Sequence, residues 1–185
     1  MNCVIYFIGD SHFGHTNIIK YCNRPFSSAE EMNERIIANW KFTIKPEDIV
    51  YFLGDFCLNG IYAPILRDLP FEHMFFIEGN HDPLPKLKAL ADPRVEFHKN
   101  LEVSLDGHTF FLTHNPMDAS PTLPTICGHV HEQWTFLKKG QYFAEYHKTM
   151  TIKKKAPQPI LNVSVDVHNF TPVPVIRVIA YFVLP

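Results

Sequence analysis

One pattern recurs five times along this chain: an apolar run that breaks off at Asp, Asn or His. VIYFIGD stops at Asp10, IVYFLGD at Asp55, MFFIEGN at Asn80, FFLTH at His114, and TICGHVH runs on to His129 and His131. Runs of this length and residue type read as buried strands. A bare carboxylate at the end of such a strand is costly to bury unless something offsets its charge. A glycine stands at the junction in four of the five, where it lets the backbone bend and come close to a ligand.

Loops at the carboxyl ends of strands are where α/β proteins place their sites. If the five ends converge, one pocket holds Asp10, His12, Asp55, Asn80, His114, His129 and His131. Oxygen and imidazole donors without a thiolate suit Mn²⁺, Fe, Zn²⁺, Ni²⁺ or Mg²⁺. Seven donors exceed the roughly four of a tetrahedral zinc site. They suit two metals about 3.5–4 Å apart with one carboxylate shared between them. Asp10 and His12 are two residues apart, as are His129 and His131. In an extended segment each pair projects to one side. Metal charge then offsets Asp10.

The remaining sequence sets the scaffold. With 185 residues, 46% of them apolar, the chain is long enough for one cored domain over 1–185. A formal net charge of −2 argues against a nucleic-acid coat or a polybasic membrane binder. The cysteines at 3, 22, 57 and 127 form no C-x-x-C pair and read as reduced thiols of a cytoplasmic chain. The N-terminus lacks a signal-peptide pattern, and no run reaches membrane-span length. Strands are expected over 4–8, 49–53, 74–77, 95–97, 101–105, 108–113, 125–127, 160–167 and 173–183. Helices are expected over 28–42, over 61–69 with a break near Pro64, and over 85–90. Residues 137–159, with two lysine clusters, read as a solvated excursion or hairpin. Strand–helix alternation followed by strands predicts a mixed α/β sandwich.

GDSH, GDFC, GNHD, a lone His after a strand and GHVH, in that order, resemble the motif series of the calcineurin-like metallophosphoesterases. The resemblance covers residues 3–170, and HTNIIKYCNRPF after the first motif is most similar to small single-domain bacterial and phage members. It implies a two-sheet α/β/β/α sandwich. It implies that Asp10, His12 and His131 bind one metal with Asp55, that Asn80, His114 and His129 bind the other, and that Asp55 bridges. Two divalent ions are implied, manganese first among those above. His81 would be the general acid and Asp82 would orient it. A metal-bridging hydroxide would attack phosphorus in line.

Departures from relatives narrow the substrate. Asp55 is followed by FCLNG rather than the Asp-Arg-Gly of protein phosphatases, and the third motif is GNHD rather than GNHE. A small phosphodiester or nucleotide-like ester is favoured, with a phosphomonoester open. A nuclease acting on short or single-stranded nucleic acid is the runner-up, and a non-catalytic metal-binding scaffold is the rival from another class. Arg24 and His15 are expected to meet substrate. Asp166 and His73, His98, His108, His147 and His168 read as structural. A monomer or homodimer without membrane association is expected.

Overall fold

Period-two alternation in the first strands sorts their side chains onto two faces. The computed structural model describes residues 3–147 and 150–184. Strands β1 (Ile5–Ile8), β2 (Ile49–Phe52), β3 (His73–Ile77) and β4 (Val95–His98) pair in parallel. The short β12 (Val173–Pro174) adds antiparallel to β1, giving the order β12-β1-β2-β3-β4. Tyr6, Ile8, Val50, Phe52, Met74 and Phe76 pack under two helices, α1 (Thr16–Tyr21) and α2 (Ala29–Thr43), against Ile18, Met32, Ile36 and Trp40. The alternate residues Phe7, Tyr51, Leu53, Phe75 and Ile77 point the other way, into the core between the sheets.

The second sheet supplies the other half of that core. It comprises β5 (Asn100–Leu105), β6 (His108–Thr113), β7 (Thr125–Cys127), β8 (Phe136–Leu137) and β11 (Ile160–Asn162), in the order β5-β6-β7-β11-β8. Leu101, Val103, Phe110, Leu112, Ile126 and Leu161 face inward. The expected hairpin forms from β9 (Tyr142–His147) and β10 (Met150–Lys155), while residues 148 and 149 lie outside the described residues. It is not merely solvated. Phe143 packs with Cys127, Leu137 and Ile160, so the hairpin covers the outer face of the second sheet. Two sheets with helices make the mixed α/β sandwich expected.

Helix α2 begins as its sequence dictates: Ser28 Oγ accepts the Glu31 N–H at 3.2 Å, and Glu31 reaches back to Ser27. The 61–69 segment splits into a 3₁₀ turn at Gly60–Tyr62 and α3 (Ile65–Asp68), divided at Pro64; α4 (Leu84–Lys88) follows β3. Helix α1 was not foreseen. The expected strand over 173–183 is corrected: only Val173–Pro174 is strand, and α5 (Val175–Val183) is a helix. Its β-branched content suggested a strand, but Val175, Val178, Ile179 and Phe182 recur at helical spacing and pack between the sheets. The expected strand over 160–167 also ends early, at Asn162, and a 3₁₀ turn at Val165–Val167 follows. The sheets are tied beyond the strand ends. Gly9 N–H donates to Val163 O at 3.1 Å and Val165 N–H to Gly9 O at 3.1 Å.

Candidate metal centre

The loops after β1 and β2 continue their ladder past the last paired strand residues. Asp10 N–H donates to Gly54 O at 2.9 Å, His12 N–H to Asp55 O at 3.0 Å and Phe13 N–H to Phe56 O at 2.8 Å. Asp10 and Asp55 are thereby held side by side on the inter-sheet side of the first sheet. Gly128 N–H donates to His114 O at 3.1 Å, which joins the β6 and β7 ends in the same way. All five strand ends meet in one pocket.

The backbone there is unusual. Asp10, His12, Asp55, His129 and His131 have φ of 58°, 50°, 58°, 71° and 47°. This left-handed region is open chiefly to Gly, with Asn, Asp and His the side-chain-bearing residues that adopt it most readily. The expectation of extended i, i+2 pairs is therefore corrected: sharp left-handed turns, not strands, aim these side chains. Close approach depends on small residues too. A Cβ at Gly79 would lie 2.2 Å from the Asp55 N and Oδ1 atoms, and one at Gly128 would lie 2.5 Å from Asp10 Oδ2. The Gly79→Ala variant is expected to displace Asp55 and to lower the melting temperature, which a circular-dichroism melt reads.

The donor atoms form two groups around one oxygen. Asn80 Oδ1 lies 3.0 Å from His114 Nε2 and 3.0 Å from His129 Nδ1, which are 3.3 Å apart. Donor atoms of Asp10, His12 and His131 lie within 4.8 Å of one another, as do those of Asp10, Asp55 and His114. Asp55 Oδ2 stands between, 3.4 Å from His12 Nε2 and 3.4 Å from His114 Nε2. His12 Nε2 is buried with no hydrogen-bond partner among the described residues. A buried imidazole nitrogen without a hydrogen-bond partner, close to the Asp55 carboxylate in a donor set without thiolate, fits divalent cations.

Electrostatics point the same way. Asp10 is fully buried, and burial pushes its carboxyl up despite His131 and His114 nearby. Its carboxylate accepts the His129 N–H, at 2.9 Å to Oδ2. Burial also pushes Asp55 up, but His114 and His12 outweigh it and hold this carboxyl well below the usual range. Burial lowers His114 and His131, yet Asp55 lifts the first to about 9, while Asp166, Cys22 and Asp10 lift the second to about 11.

The other expected site residues take different places. His81 is exposed at the rim, its ring 5.7 Å from that of His12, and its N–H donates to Asp55 Oδ1 at 2.8 Å. His15 is half-buried, with Nδ1 3.4 Å from His12 Nδ1. Asp82, expected to orient His81, contacts the main chain. Its described bonds accept the backbone N–H groups of Asp55, Phe56 and Gly79 at 2.8–2.9 Å. It therefore shapes the loop that carries Asp55. Burial, then the charge of Asp55, raises its carboxyl to about 6, against the pull of those N–H bonds.

Arg24, expected to meet substrate, is engaged within the protein. This residue is 5% exposed and its guanidinium bonds Asp166 and the carbonyls of Asp10 and Ser11. Asp166, read as structural from the sequence, also lies 3.0 Å from His131 Nδ1. No local signal marks it, because its partners come from loops far away in the chain. A cleft of about 680 Å³ opens on the Asn80, His114 and His129 side, lined further by Lys99, Asn115 and Gln133.

The chain is 40% identical over 177 residues to an uncharacterized protein of Methanocaldococcus jannaschii, a match covering 91% of this chain and 85% of that one. Its fold is similar to the crystal structure of a protein of unknown function from Aquifex aeolicus, with a TM-score of 0.67 at 22% identity over 96% of this chain and 98% of that one. The profile of calcineurin-like phosphoesterases matches residues 3–174, a span that contains every one of the five strand ends. The chain therefore belongs to the calcineurin-like phosphoesterase family.

Proposed function

We propose that this protein, one domain over residues 1–185, hydrolyses phosphate esters with two divalent cations, manganese favoured. The observation that carries this reading is the single oxygen Asp55 Oδ2, equidistant at 3.4 Å from His12 Nε2 and His114 Nε2. In this reading Asp10, His12 and His131 hold one cation, Asn80, His114 and His129 hold the other, and Asp55 is shared. A cation pair there would supply a nucleophile from water near neutral pH and would offset charge growing on the phosphoryl oxygens. The chain's own groups do the rest. Asp10 and Asp55 provide the negative charge that holds the cations, and the strained turns fix their directions before substrate arrives. To His81, exposed beside Asp55, we assign protonation of the leaving oxygen. To His15, next to His12, we assign a contact with a substrate oxygen. Asp82 keeps Asp55 in register through three backbone bonds.

The substrate we favour is a small phosphodiester or nucleotide-like ester, because an open cleft lies beside Asn80 and His129, with Lys99 on its wall. No helix among the described residues is long and apolar enough to cross a membrane. We read the protein as cytoplasmic and as a monomer or homodimer.

The test is metal content measured alongside turnover of bis-p-nitrophenyl phosphate and p-nitrophenyl phosphate, with Mn²⁺, Fe²⁺, Zn²⁺, Ni²⁺ and Mg²⁺ in turn. Dialysis against EDTA is expected to abolish turnover, and Mn²⁺ to restore it. Full turnover by the chelated protein sinks the reading. Metal bound with neither ester cleaved favours a binding scaffold. Preference for oligonucleotides over cyclic and mononucleotides favours a nuclease.

A further inference from the structure

The metal reading leaves a buried ion pair unused: Arg24 and Asp166, 142 residues apart. Their side chains are 0% and 3% exposed. Arg24 Nε donates to Asp166 Oδ1 at 2.8 Å and Nη2 to Oδ2 at 2.8 Å. Ser164 Oγ donates to the same Oδ2 at 2.9 Å, and His131 Nδ1 lies 3.0 Å from it. On its far side, Arg24 donates from Nη2 to Asp10 O at 2.7 Å and from Nη1 to Ser11 O at 3.2 Å.

A buried ion pair is weak evidence for stability, since a well-packed apolar pair often serves as well. The position of this one is what matters. One end grips the left-handed turn that carries Asp10 and His12, and the other grips His131 from the opposite sheet. These three residues hold donor atoms within 4.8 Å of one another. A carboxylate on the outer nitrogen of a ligating imidazole fixes its tautomer and ring plane and raises its basicity. With Nδ1 committed to Asp166, Nε2 is the nitrogen left to meet an ion beside Asp10 and His12.

We propose that Arg24 and Asp166 are positioning residues for one of the two cations: the pair locks the His131 ring and the Asp10 turn into a single preformed half-site. This rests on the two-cation reading above. The remaining half-site, built from Asn80, His114 and His129, has no described contact with the pair.

The experiment is a calorimetric titration of the metal-free full-length protein with Mn²⁺, comparing wild type, Asp166→Asn and the double variant Arg24→Gln/Asp166→Asn. The double variant removes both charges, so that no unpaired guanidinium is left buried if the single variant unfolds. Circular dichroism checks the fold of each. One of the two Mn²⁺ ions is expected to bind about 10–100-fold more weakly, with the other unchanged. In wild type carrying Zn²⁺, ¹⁵N-imidazole spectra are expected to show His131 Nδ1 still protonated and Nε2 shifted by the ion. A folded variant that binds both ions as wild type does, or a Zn²⁺-shifted Nδ1, overturns the inference while leaving the two-cation function standing. Wild type that binds no ion overturns both.

Discussion

The Asp55→Asn variant is expected to lose phosphoesterase turnover by about 10³-fold or more, the scale on which removal of a principal transition-state charge contact is felt. An amide keeps the shape of the carboxylate but not its charge. Oδ2 of this residue lies 3.4 Å from His12 Nε2 and 3.4 Å from His114 Nε2, one imidazole nitrogen from each proposed half-site. Its loss weakens both at once, whereas substitution of Asn80 or His131 touches one. Metal stoichiometry measured beside kcat separates the cases: Asp55→Asn should lower the affinity of both ions. The loop itself should hold, because Asp82 still accepts the three backbone N–H groups around position 55. Retained two-metal binding with near-normal kcat would show that Asp55 is not shared.

His81→Ala carries the second large effect, and its size should depend on the ester. A general acid contributes about 10²–10⁴-fold when the leaving alkoxide needs a proton. p-Nitrophenolate leaves well without one. Turnover of an alkyl ester or nucleotide should therefore fall steeply, while bis-p-nitrophenyl phosphate is affected far less. His81 is exposed at the rim, so its removal leaves no buried cavity and the melting temperature should barely move. A uniform loss across leaving groups would instead assign His81 to binding or to charge stabilisation.

What could be read from the sequence was what is local. Each strand end carries its own apolar run, its junction and its Asp, Asn or His within a few residues, so the convergence of five could be inferred before any fold was known. The same holds for α2, whose cap, capping partner and apolar face sit in one stretch. Features that depend on distant partners were opaque. Asp166 looks like the outward face of a strand until Arg24 and His131 are brought to it from 142 and 35 residues away. Arg24 was noticed but assigned to substrate, since nothing nearby in sequence says that its guanidinium is already engaged. In α5 two local signals conflicted: β-branched composition argued for a strand, the spacing of Val175, Val178, Ile179 and Phe182 for a helix, and tertiary packing between two sheets decided it.

The torsions at Asp10, His12, Asp55, His129 and His131 limit how this centre can be altered. Exchanging any of them for Cys or Glu would place an ill-suited residue in a left-handed conformation, at a penalty of about 1–2 kcal/mol per position before any new coordination is counted. Retuning the protein toward thiophilic ions by point substitution is thus opposed by main-chain geometry as well as by donor chemistry. Variants selected for a different cation should carry rebuilt loops, with inserted or deleted residues beside the substituted donor.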